Sequence, residues 1–201
     1  MNRLKFKIGI FGSAVSDDDG TVQKAKELAQ ELSNFDVVVL TGAGSGLPYL
    51  VSYEAFKKGV EVWGFAPTVN HEKQKKLYPS LDLKIYSELY YVPEDYKFAD
   101  RVEVLRKYRN VNSTATCEAG IIIAGRWGTM NEFTNLYDMG KVIGVLTGTG
   151  GVADELPNLV KKISKKSEAT LIFNDSPKDL LKKVISELGR REKHKGGRND
   201  Q

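Results

Sequence analysis

The chain has 201 residues, 41% hydrophobic and 28% charged, which suits one domain with a proper core. Its formal net charge is +4, and Arg190, Arg191, Lys193, Lys195 and Arg198 carry more than that excess. The body is therefore near neutral, and charge alone gives little reason to expect a nucleic-acid partner. One cysteine, Cys117, excludes an internal disulfide. With no apolar run approaching about 18 residues and no signal-peptide pattern, a cytoplasmic protein without membrane contact is expected.

Residues 5–12 (KFKIGIFG) form a short β-branched run ending in glycine, a first strand. After a polar turn, Thr21 opens a helix carrying Val22, Ala25, Ala29 and Leu32 at helical spacing. Residues 36–40 (DVVVL) make a strand with almost no alternation, as expected when both sheet faces are covered. It runs into Thr41-Gly-Ala-Gly-Ser-Gly46, and Pro48 suits the first turn of the helix that follows. Residues 61–65 form a third strand, halted by Pro67. Between 68 and 97 lie a charged segment and a tyrosine-rich stretch (Tyr86, Tyr90, Tyr91, Tyr96), read as a short strand and an excursion over one sheet edge. A long helix over 98–115, a buried strand over 121–123 and a helix from Thr129 come next. The strand at 142–146 precedes a mobile-looking loop, Thr147 to Gly151, and a helix starting at Asp154. A strand at 169–173 and a helix at 177–188 complete the pattern.

Strands alternate with helices throughout, so the expected fold is α/β. It is a Rossmann-like three-layer sandwich with a mostly parallel sheet covered on both faces. One nucleotide-binding domain spans 1–188, and 189–201 reads as a basic, disordered tail. Ligands in such folds sit at the carboxyl ends of the strands. Three glycine turns fall there: Gly12 with Ser13; Gly42, Gly44, Ser45 and Gly46; and Gly125, Arg126, Trp127 and Gly128, leading to Thr129. Free N–H groups at a helix start, with the helix dipole, favour an anion. A phosphate-bearing ligand is the expectation.

An NAD-type fingerprint is not matched. Its glycines belong after the first strand, and an acidic residue about 20 positions on should hold the ribose; here the region after Phe65 offers Ala66 and Pro67. The kinase-type P-loop is absent too, and two histidines far apart in the chain give no metal cluster.

Two charged residues sit oddly. On the helix at 98–115 the apolar stripe Phe98, Val102, Leu105 continues to Arg109 and Asn112. A buried arginine needs an anion, unless it forms an internal ion pair or its head reaches solvent. Thr129-Met-Asn-Glu132 matches a capping box, yet a carboxylate beside a phosphate loop is also placed for proton transfer or for stabilising positive charge. Trp127 either stacks on a base or packs the turn, and the tyrosines of 86–96 are assigned to a sheet edge or subunit interface.

The stretch Ala124-Gly-Arg-Trp-Gly-Thr-Met-Asn-Glu132 resembles the Pro-Gly-Gly-x-Gly-Thr-x-x-Glu motif of the LOG (Lonely Guy) family. These are the "lysine decarboxylase-like" Rossmann proteins related to DprA/Smf. Arg109, 23 positions before the glutamate, falls where that family has a helix arginine. Residues 41–48 look like its phosphate loop, and 59–67 like its third strand. Ala124 and Arg126 depart from the motif, and Arg109-Asn110 replaces the usual Arg-Lys pair; these features resemble a side branch of nucleotide-binding proteins close also to molybdenum-cofactor carrier proteins. The resemblance implies an N-glycosidic hydrolase acting on AMP or a modified AMP, a nucleoside 5′-monophosphate phosphoribohydrolase. Arg109 and Glu132 would be catalytic, and the glycine turns would hold phosphate. No cofactor or metal would be needed, and the family implies a homodimer or higher homo-oligomer. The alternative is a non-catalytic carrier or sensor of a nucleotide or molybdopterin-type cofactor, motivated by Arg126.

Overall fold

The computed structural model describes residues 5–15, 18–163 and 165–196. Seven strands form one parallel sheet: β1 (Phe6–Gly12), β2 (Val37–Thr41), β3 (Glu61–Phe65), β4 (Glu88–Tyr90), β5 (Ala119–Ile123), β6 (Val142–Leu146) and β7 (Thr170–Asn174). Their spatial order is β4-β3-β2-β1-β5-β6-β7, with every neighbouring pair parallel. The order reverses between β1 and β5. Connections leaving the two strands there go to opposite sides, and a crevice opens at their carboxyl ends.

Burial explains the missing alternation. Every residue of β2, β5 and β6 is buried, because helices cover both faces. On one side α1 (Asp19–Leu32), α2 (Leu47–Phe56) and α7 (Pro177–Gly196) pack Leu28, Leu32, Val51 and Leu181 with Ile8, Ile10, Val39 and Ile121. On the other side α5 (Trp127–Asp138) and α6 (Val152–Lys162) pack Phe133, Leu136 and Leu156 with Phe11, Leu40, Ile122 and Val145. The α4 helix (Val102–Thr116) packs beside α5. The expected Rossmann-like three-layer sandwich is the fold, with a wholly parallel sheet.

Several boundaries differ from those read in the sequence, each for a local reason. The α1 helix opens at Asp19 because Asp18 caps it, accepting from the Thr21 N–H at 2.6 Å. The charged segment after residue 70 is a helix, α3 (His71–Leu77), capped by the Asn70 side chain. After a 3-10 turn at Leu83–Ile85, the chain adds β4 as the edge strand. The last helix passes Leu188 and Gly189 and ends at Gly196. Glu187 holds Arg190 and Arg191 one turn on, and Arg191 donates to the carbonyls of Gly140 and Glu168, tying the extension to the body. Residues 197–201 of the tail expected to be disordered lie outside the described residues. Among the described residues no helix is long and apolar enough to cross a membrane.

Candidate functional site

The three glycine turns meet at the crevice between β1 and β5. A cavity of about 330 Å³ there is lined by Gly12, Ser13, Gly42, Gly44, Ser45, Arg109, Arg126, Gly128, Thr129 and Glu132, all singled out in the sequence. Gly46, Gly125 and Trp127 do not line it. Gly46 supports the wall from behind: with φ +91°, it lies against the backbone of Ser13 and Ala14, and the Leu47 N–H donates to the Ser13 carbonyl at 2.9 Å. Gly125, at φ +101°, lets Thr129 pack directly on the turn. Trp127 points to solvent, 85% exposed, so it packs nothing in the turn.

The helix after β5 begins at Trp127, not Thr129, and Arg126 is its N-cap without a side-chain cap bond. Thr129 is therefore inside the first turn, and Glu132 lies beyond the reach of a capping box. The expectation of that box is corrected: the glycine turn winds into helix two residues early, leaving the first N–H groups uncapped. The α2 helix is uncapped as well, with Gly46 at its N-cap and Pro48 in its first turn. At α2, however, the Leu47 N–H is taken by the Ser13 carbonyl and Pro48 has none, so it is the uncapped α5 start, with Gly128 and Thr129 on the cavity wall, that favours an anion.

Ala124 holds φ +50° at the end of β5. Its N–H donates to Thr149 Oγ1 at 2.8 Å, and its carbonyl accepts from the Ala153 N–H. Proline has neither that φ nor an N–H, so the departure from the family motif at 124 follows from the backbone. The same bonds correct the reading of residues 147–151 as mobile. Thr149 is buried and bonded on both sides, and Asp154 accepts from the N–H groups of Gly148 and Gly150.

Arg109 is half-buried on α4. Its Nη1 donates to the Gly42 carbonyl and its Nε to Asn110 Oδ1 at 3.1 Å. Asn110 Nδ2 then donates to Asn131 Oδ1 at 3.1 Å, linking α4 to the residue preceding Glu132. The buried face of α4 runs through Leu105, Asn110, Ser113 and Thr114. Asn112, expected on that face, is exposed, because the buried face is turned toward Asn110, Ser113 and Thr114 and leaves Arg109 on its margin.

Glu132 is 6% exposed, and among the described residues no group hydrogen-bonds its carboxylate. Burial pushes its carboxyl up to about 7, against the opposing charges of Arg109 and Lys107. The hydroxyl of Thr41, fully buried at the end of β2, also lines the cavity and has no hydrogen-bond partner among the described residues. A buried polar group of this kind calls for a polar ligand atom or water. Sequence reading missed Thr41, along with Arg106 and Tyr78, which also line the cavity. Arg106 sits one turn before Arg109, a spacing visible in the sequence; Tyr78 arrives from α3, which was not read as a helix. Cys117 is inert core, its thiol pushed up to about 12 by burial.

The sequence matches the SLOG cluster4 family over residues 5–181. The chain belongs to that family. Its LOG-like relationship therefore holds, and solved structures extend it. TM1055 shares 18% identity over 90% of this chain and 99% of its own, with TM-score 0.72. The molybdenum cofactor binding protein from Rippkaea orientalis shares 17%, covering 92% and 98%, at 0.64. DNA processing protein A from Helicobacter pylori shares 17%, covering 92% and 81%, at 0.60. No curated protein matches the sequence. That last structure is described by its single-stranded DNA binding mode, which corrects the dismissal of nucleic acid on charge. A near-neutral total says little about partners in this SLOG fold, because local grouping of cations matters more than their sum.

Proposed function

We propose that this SLOG protein binds a nucleoside 5′-monophosphate of the AMP type and hydrolyses its N-glycosidic bond, giving free base and ribose 5-phosphate. The observation that carries the reading is Glu132, a buried carboxyl held near 7 in a cavity with three arginines and the uncapped start of α5. The phosphate sits on the turns Gly42–Gly46 and Gly125–Thr129, with Arg109, Arg126 and Arg106 balancing its charge. Thr41 supplies a hydroxyl to the sugar phosphate.

Water attacks C1′ as the C1′–N bond breaks and its electron pair leaves with the base. Glu132 takes the proton from the attacking water, and its charge stabilises the oxocarbenium-like transition state. A group titrating near the working pH suits that task, and the demand resembles that on a glycosidase carboxylate. The proton passes from Glu132 to the departing base or to solvent. Arg109 holds the phosphate or ribose.

A second reading, a carrier or sensor that returns its ligand intact, is favoured by Arg126, a bulky cation lining the cavity where the motif has glycine. The molybdenum cofactor binding protein of Rippkaea orientalis, with the same fold, is by its name such a binder. Incubation with AMP and chromatography for adenine tests the choice. Release that Glu132→Gln abolishes supports the hydrolase, while stoichiometric recovery of intact AMP leaves the carrier.

A further inference from the structure

A second cavity, of about 510 Å³, adjoins the first and shares Arg109 with it. Its walls are Trp63 and Phe65 of β3, Tyr90 and Tyr91 at the end of β4, and Tyr108 of α4. It opens beside α4, on the crossing of the chain from β4 to β5, which leaves β4 as the edge of the sheet. Side chains that a covering helix would bury are open instead: Tyr90 is 42% exposed. Of the tyrosines of 86–96, assigned by sequence to a sheet edge or interface, Tyr90 on the edge strand and Tyr91 line the recess, whereas Tyr86 is buried in the core and Tyr96 packs against Phe98 and Tyr108.

The walls are prearranged. Phe65 and Tyr90 stack with centroids 4.9 Å apart, and Trp63 meets Tyr90 edge-on at 6.0 Å. The indole N–H of Trp63 donates to Glu61 at 2.9 Å, which fixes the ring plane. Polar groups mark the rim: Lys7, whose ammonium lies 5.3 Å from the Trp63 ring centroid, and the Asn112 amide. Several aromatic faces with a few polar groups at the edges suit a flat, heteroatom-edged ring, which stacks on the faces and hydrogen-bonds at its margin.

We infer that this aromatic recess takes the heterocyclic base of the nucleotide whose phosphate occupies the glycine turns, with Arg109 at the junction of the two. The inference rests on the proposed nucleotide ligand. It places the ring against Trp63 and Tyr90, away from the exposed Trp127. A base here and a phosphate on the turns put the ribose beside Arg109.

Trp63 makes the test optical. In a Trp127→Phe background the remaining tryptophan reports on the recess. AMP is expected to quench its fluorescence, and ribose 5-phosphate to compete with AMP without quenching. Tyr90→Ala and Trp63→Leu should each weaken AMP binding by roughly tenfold, the scale of a lost base–aromatic stack, and leave ribose 5-phosphate affinity unchanged. Circular dichroism confirms that each variant is folded. Equal losses for AMP and ribose 5-phosphate, or no loss for AMP, overturn the inference. Adenosine carries the ring without phosphate and should quench at higher concentration. If adenosine quenches but ribose 5-phosphate does not bind, the phosphate reading fails and the ring subsite stands. If AMP binds without quenching Trp63, the subsite fails and the phosphate reading stands.

Discussion

Arg109 and Gly42, 67 positions apart, meet because the guanidinium donates to the glycine carbonyl at the mouth of the β2–α2 turn. A β-carbon at position 42 would come 2.5 Å from Arg109 Cζ, so the absence of a side chain there is what admits the arginine. The arginine is thereby set over the turn proposed to hold phosphate.

Gly42→Ala should therefore act on Arg109 and not on the fold. The obstructed atoms are the end of a flexible side chain, and position 42 lacks the left-handed backbone that strains other residues. Calorimetry with AMP should show binding weakened tenfold or more, while denaturant melts show stability changed by less than about 1 kcal/mol. Gly46→Ala is the contrast. At φ +91°, with the new β-carbon driven into the Ser13–Ala14 backbone, it should destabilise the fold by about 2 kcal/mol or more.

Gln74 supports the same turn from α3. It is fully buried, donates to the Ala43 carbonyl at 2.6 Å and accepts from the Thr68 hydroxyl at 3.0 Å. Ala43 holds φ +46°, a conformation that needs outside support. Gln74→Leu fills the space but leaves the Ala43 carbonyl unpaired and the Thr68 hydroxyl with only its 3.4 Å bond to the Asn70 carbonyl, at a cost of about 1–3 kcal/mol for the carbonyl if water cannot reach it. Denaturant melts should show that loss, with weaker AMP binding as Ala43 relaxes. Unchanged stability and affinity would show that α3 does not brace the turn.

The layers and most of the cavity were legible because they depend on local signals. Unbroken runs such as DVVVL mark strands buried on both faces, and each glycine turn directly follows such a run. Arg109 stood out as a charge on a stripe expected to be buried, and Glu132 as a carboxylate beside a glycine turn. What the sequence hid depends on distant contacts. Nothing near Gln74 announces that it ends beneath Ala43. Thr149 looked like part of a glycine-rich loop, although it grips Ala124. The capping-box pattern at Thr129 misled because the helix start was fixed by the turn before it.

Ala124→Pro restores the family motif in letters and should break this protein. Proline is locked near φ −65° and has no N–H, whereas Ala124 sits at +50° and donates to Thr149. A loss of about 3 kcal/mol or more is expected in denaturant melts, with nucleotide binding abolished. Thr149→Val tests the mechanism separately. It removes the acceptor while leaving the backbone free, and should cost about 1–3 kcal/mol. If Ala124→Pro is as stable as the parent, the turn does not require its left-handed residue.

Glu132 gives a pH signature independent of any reaction. In the fold its carboxyl is pushed up to about 7 from an ordinary 4.5, chiefly by burial. Between those values the unfolded chain releases a proton that the folded chain keeps, so stability falls as pH rises through the window. Above about 7 both states are ionised and the penalty is complete, on the order of 3 kcal/mol. Other carboxylates titrate with the opposite sign, as Glu187 does, held down to about 2 by Arg190 and Arg191. The informative quantity is therefore the difference between parent and Glu132→Gln. The variant should match the parent near pH 4.5 and exceed it in stability at pH 8. Phosphate brought beside Glu132 favours its protonated form, so AMP binding to the parent should weaken as pH rises through about 7, and less so for the variant. A difference that does not change with pH would mean that the carboxyl titrates normally, and would remove the electrostatic basis for its proposed role.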